Sequence, residues 1–225
     1  AAVRGSTGAW GRLSGRMAAS LHEPAGGRGA RPPTHLLYLH GFRSSPRSFK
    51  AQRLQSWLAA HRPGLVWCCP QLPPSPAAAM ARVDSVLASW PAGRFAVAGS
   101  SLGGFYATVA AERHGCPAVL MNPAVDPARH LAAQIGEQTA WHDPAERFFF
   151  RPEYVDELRA LTPPAITQPG RYFAVVAKGD ELLDWREMLA RYPGAAIRLL
   201  EGSDHALSDF DEHLPHLLHF LRLDE

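Results

Sequence analysis

Phe95-Ala-Val-Ala-Gly-Ser-Ser-Leu-Gly103 runs from an apolar strand straight into the first turn of a helix. Phe95–Ala98 has the composition of a buried strand, and Leu102, Tyr106, Val109 and Ala110 then fall on one helical side. Between the two patterns, Gly99, Ser101 and Gly103 fit G-x-S-x-G. A strand turns into a helix over so few residues only where small residues flank the apex, and these glycines provide that space. The apex side chain then points above the carboxyl edge of a sheet. Ser100 is the competing hydroxyl, but it is not centred between the glycines.

Working outward, short apolar runs alternate with helical patterns. His35–Leu39 and Leu65–Cys69 read as the first two strands, and Ala118–Met121 as the fourth. Arg171–Ala177 and Ile197–Leu200 read as the fifth and sixth. Helices are expected over 46–61, from Pro76 behind a Ser75 cap, over 184–192, and over about 209–221. This alternation predicts an α/β fold, a compact and mostly parallel sheet of about six strands flanked by helices. Between Asn122 and Gly170 no strand pattern is visible, and a connection of that length is unusual. It reads as a helical cap insertion over about 124–170, with a helix from Pro152 to Leu161. Trp141 and Phe148–Phe150 either line an acyl pocket there or anchor the insertion to the core.

A serine hydroxyl is hardly ionised at neutral pH and needs a base, which in turn needs an orienting acid. With a G-x-S-x-G elbow the expected chain order is Ser, acid, His. Asp180 directly follows the fifth strand and His205 the sixth, so both belong to loops at the same sheet edge as Ser101. Asp184 is an alternative acid, although it also suits the cap of the following helix. Among eleven histidines, His205 stands out by position, whereas His213, His216 and His219 sit within the last helix pattern. Two backbone N–H groups should face a developing oxyanion. Leu102 N–H opens a helix and is free of an intrahelical partner. Phe42 N–H, in the His40-Gly41-Phe42-Arg43 loop after the first strand, is the second choice; His40 itself reads as a residue that shapes this loop.

Composition narrows the classes. A hydrophobic fraction of 46%, a charged fraction of 20% and a net charge of +2 are those of a water-soluble globular domain with no evident polyanion partner. No basic tract supports nucleic-acid binding, and no apolar run approaches the roughly 20 residues of a membrane span. Cys68, Cys69 and Cys116 form no disulfide framework and no zinc pattern, which fits buried thiols and a cytoplasmic location. No cofactor or metal is expected. Residues 1–34, rich in Ala, Gly, Arg and Ser, read as a disordered or loosely attached tail in which Met17 is a candidate true start. The remainder, 35–225, reads as one domain.

The stretches LYLHGFRSSPRSFKAQ (37–52), GSSLGGFYAT (99–108), MNPAV (121–125), KGDELLDWRE (178–187) and EGSDHALSDFDEHLP (201–215) together resemble the YqiA-like esterase family of small bacterial α/β-hydrolases. The resemblance runs from about Leu36 to Leu221. It implies the α/β-hydrolase fold and esterase activity, with Ser101, Asp180 and His205 at the triad positions. The expected partner is a small-molecule ester or acyl thioester. The rival readings are a non-catalytic binding protein on the same fold and another acyl-transfer or peptidase chemistry. A flavodoxin-like nucleotide module would require a glycine-rich phosphate loop after the first strand, where only Gly41 is found.

Overall fold

The computed structural model describes residues 31–225. Met17, and the expected tail up to residue 30, lie outside the described residues. Six strands form the main sheet: β1 (His35–Leu39), β2 (Val66–Cys68), β3 (Phe95–Ser100), β4 (Ala118–Met121), β7 (Tyr172–Ala177) and β8 (Ala196–Leu200). Their order is β2-β1-β3-β4-β7-β8, and every pairing is parallel. All six carboxyl ends therefore share one edge. The chain leaves β1 toward β2, then returns to the other side of β1 as β3. This reversal opens a crevice between the β1 and β3 ends, where open parallel sheets bind ligands.

Side chains alternate across the sheet, which sorts the apolar residues into two layers. Leu36, Tyr38, Ala98, Val119 and Val175 pack under α1 (Phe49–His61) and α7 (Phe210–Phe220). Leu37, Leu39, Val97, Leu120 and Ala174 pack under α2 (Pro76–Ala88) and α3 (Leu102–His114) on the other face. Burial on both faces explains why the central strands are near-continuous apolar runs. Ser75 caps α2, its Oγ accepting from Ala78 N–H at 3.1 Å ahead of Pro76.

The segment between β4 and β7 differs from the helical expectation. It does contain helices, α4 (Pro127–Leu131) and α5 (Pro152–Leu161). It also holds an antiparallel hairpin, β5 (Gly136–Thr139) with β6 (Arg147–Phe150). The hairpin pairs with neither edge of the main sheet. β5 is polar, and the three consecutive phenylalanines of β6 hide an alternation that only the fold reveals: Phe150 is buried, Phe149 exposed and Phe148 half-buried. α6 (Trp185–Arg191) follows β7. The cysteines are free thiols; Cys68 and Cys69 are half-buried, and buried Cys116 precedes β4 rather than lying within a strand.

Candidate active site

Ser101 sits between β3 and α3 with φ 56° and ψ −121°, a left-handed backbone that L side chains rarely adopt. The elbow is held by contacts that exclude any side chain at its flanks. A Cβ on Gly99 would lie 2.1 Å from the Gly103 carbonyl oxygen, and one on Gly103 would lie 1.9 Å from that of Leu39. Ser101 N–H donates to Met121 O at 3.0 Å, and Ser101 O accepts from Ala124 N–H at 3.0 Å, so β4 and the loop after it brace the turn. Ser100 is buried beside Tyr38 instead.

Loops after two further strands meet Ser101. His205 Nε2 lies 3.0 Å from Ser101 Oγ, and His205 Nδ1 lies 2.7 Å from Asp180 Oδ2. A hydroxyl that donates to Nε2 requires the proton on Nδ1, which then donates to the carboxylate. The Asp180 side chain is fully buried. Its other oxygen, Oδ1, accepts from Leu182 and Leu183 N–H, each at 2.8 Å. Three N–H donors thus fix its orientation. Asp184 does not join this group. It is exposed at the start of α6 and accepts from Arg186 N–H at 2.9 Å. Asp204, beside the histidine, closes a turn by accepting from Ser208 N–H at 2.9 Å.

The loop after β1 lies against the serine. A Cβ on Gly41 would come 3.3 Å from Ser101 Cβ. The backbone N–H groups of Phe42 and Leu102 have no protein partner among the described residues. His40 is buried, with Nε2 accepting from Leu72 N–H at 3.1 Å and Nδ1 donating to Gly41 O at 3.0 Å. Both ring nitrogens are used by a neutral imidazole, and burial pushes its pKa below the ordinary value. It shapes the loop.

Further residues hold this arrangement through contacts with distant parts of the chain. Asn122, fully buried, bonds to the His205 loop and to β7. Glu181 Oε2 accepts from His205 N–H at 3.0 Å, and Lys50 Nζ donates to Ala206 O. Arg43 Nε donates to Thr139 O at 2.6 Å, Trp141 N–H donates to Arg43 O at 2.8 Å, and the guanidinium stacks 3.9 Å from the Trp141 ring centre. Phe42 makes edge contacts with Phe148 at 5.8 Å and Phe150 at 5.3 Å. Each such pair adds about 0.5–1.5 kcal/mol beyond area burial, enough to seat the loop after β1 under the hairpin. Glu181 and Lys50 carry no hint in the sequence, whereas Asn122 has one, as the first residue after a strand within MNPAV.

A cavity of about 310 Å³ opens beside the elbow, with Phe42, Leu72, Leu102, Tyr106 and Phe148 in its wall. Trp141 is 70% exposed and outside it. Among the described residues, no His, Cys, Asp and Glu cluster could hold a metal ion, and no helix is long and apolar enough to cross a membrane.

Residues 35–222 match the model of the family described as "Uncharacterised protein family (UPF0227)". The chain belongs to this UPF0227 family. That match covers most of the chain and agrees with the YqiA-like resemblance of the motifs. Solved structures similar to this UPF0227 member are α/β-hydrolases. Alpha/beta hydrolase domain-containing protein 10 from mouse aligns with TM-score 0.65 and 17% identity, over 86% of this chain and 91% of that one. Ferulic acid-bound Est1E from Butyrivibrio proteoclasticus aligns with TM-score 0.64 and 15% identity, over 89% and 92%. A structure of the metagenome-derived lipolytic enzymes LipS and LipT aligns with TM-score 0.64 and 18% identity, over 86% and 95%. At these identities the likeness is one of fold: the chain has the α/β-hydrolase fold.

Proposed function

We propose that this protein is a serine hydrolase that cleaves carboxylic ester or thioester bonds through an acyl-enzyme. The observation that carries the reading is the hydrogen-bonded line Ser101 Oγ, His205 Nε2, His205 Nδ1, Asp180 Oδ2, with steps of 3.0 and 2.7 Å. In the first half-reaction Ser101 Oγ attacks the carbonyl carbon and its proton passes to His205 Nε2. Asp180 holds the imidazole tautomer and balances the imidazolium. The N–H groups of Phe42 and Leu102 meet the oxyanion. The tetrahedral intermediate collapses, and His205 gives the proton to the departing alkoxide or thiolate. Water, deprotonated by the same nitrogen, then releases the acid and restores Ser101.

The test is labelling by a fluorophosphonate probe, followed by a panel of esters and acyl thioesters of graded chain length. Labelling lost in Ser101→Ala, with turnover reduced by several orders of magnitude, supports the assignment. An unlabelled parent protein inert toward the whole panel would favour a binding role on this fold instead.

A further inference from the structure

The cavity beside Ser101 carries a charge pattern that its apolar floor does not require. Arg43 and Arg82 both reach its wall. Each guanidinium is anchored by one nitrogen to a backbone carbonyl: Arg43 Nε to Thr139 O at 2.6 Å, and Arg82 Nη1 to Gln71 O at 2.9 Å. The Arg43 plane is further fixed by its stack on Trp141. Neither cation pairs with a carboxylate among the described residues. The acid in the same wall, Glu146, faces His142 Nε2 at 2.9 Å. An anchored guanidinium has already given up rotamer freedom, so its open N–H edge receives an anion at reduced entropic cost.

We propose that this cavity selects acyl groups bearing a carboxylate at their far end, bound by Arg43 and Arg82. The inference rests on the hydrolase reading above. The cavity takes the acyl side because its wall includes Phe42 and Leu102 but nothing from the Asp180 and His205 loops. The leaving oxygen or sulfur must receive its proton from His205 Nε2, so the leaving group lies away from the cavity. At about 30 Å³ per water-sized group, 310 Å³ holds about ten non-hydrogen atoms. A half-ester of a short dicarboxylic acid fits that space.

The experiment compares kcat/KM for mono-4-nitrophenyl glutarate and 4-nitrophenyl pentanoate, corrected for spontaneous hydrolysis. The two share a leaving group and a five-carbon acyl chain and differ in the distal charge. The parent protein should favour the glutarate ester, and added salt should shrink that preference. Arg82→Gln should lower the glutarate-to-pentanoate ratio about tenfold, as loss of a charge-assisted hydrogen bond does. Arg82→Glu should invert it, and Arg43→Gln should lower it too. Because Arg82 is exposed, its variants are expected to fold, and thermal melting checks this. A parent ratio at or below one, or a ratio unchanged in all three folded variants, overturns the proposal. Fluorophosphonate labelling separates the two failures. A labelled enzyme without preference overturns only the carboxylate site, whereas an unlabelled and inert protein removes the hydrolase reading and this inference with it.

Discussion

The side chain of Asn122 ties the end of β4 to the loop that carries His205: Nδ2 donates to Asp204 O at 2.9 Å and to His205 O at 3.2 Å. Its Oδ1 accepts from Ala177 N–H, at the end of β7, at 2.8 Å. The residue is fully buried, and its φ of 42° is one that asparagine tolerates better than most. One amide thus fastens the ends of β4 and β7 to the loop after β8. Asn122→Asp keeps the shape but turns an acceptor toward two carbonyls. We expect a loss of about 1–3 kcal/mol in unfolding free energy. We also expect kcat to fall at least about tenfold with KM little changed, because small misplacements of a reacting group are costly. Chemical denaturation and steady-state kinetics on the folded fraction check both. An unchanged kcat would make Asn122 a purely structural brace.

The two acids near α6 should separate cleanly. Asp180→Asn leaves His205 with the wrong tautomer partner, and turnover should drop by about 10⁴. Asp184→Asn keeps a side chain able to cap α6, and Asp184→Ala should cost about 0.5–2 kcal/mol of stability. Turnover should stay near the parent value in both Asp184 variants. The reverse ranking in ester hydrolysis would reassign the acid.

Gly103→Ala places a methyl group 1.9 Å from the Leu39 carbonyl oxygen, where the atoms in the way are backbone. The central β1–β3 pairing would have to shift. We expect destabilisation of at least about 3 kcal/mol, measured by urea unfolding, or failure to fold. Gly202→Ala, where nothing lies within 4 Å of the added carbon, should be mild by the same measure.

His40 makes stability depend on acid. An unfolded histidine titrates near 6.5, and burial holds the folded residue below that. Between the two values the unfolded chain binds a proton that the folded chain refuses. Stability from this residue is therefore complete above about pH 6.5 and is lost as pH falls toward the folded value. His40→Gln does not titrate, so its denaturation midpoint should decline less than the parent's between pH 7 and pH 5.

Much of this was legible in the chain because it is local. A strand followed by Gly-x-Ser-x-Gly and an amphipathic helix can be read without knowing the neighbours. Asp180 and His205 lie three and five residues past the ends of β7 and β8, each on a short loop that contains glycine. The parallel sheet follows from apolar runs spaced by helices. The hairpin was not legible, since β5 reads Gly-Glu-Gln-Thr and gains its strand character only from β6. The roles of Asn122 and Arg43 depend on partners far along the chain, 82 and 96 residues away for Asp204 and Thr139. No spacing rule reaches that distance.

The link from Arg43 to Thr139 and Trp141 gives the hairpin mechanical authority over its neighbour in the chain. Phe42 is one residue away and wedged against two rings of the same hairpin. In the proposed reaction, swinging β5 and β6 outward would drag the Phe42 amide from its post. Damage to the hairpin would then be felt at the oxyanion donor, at a distance from the substitution itself.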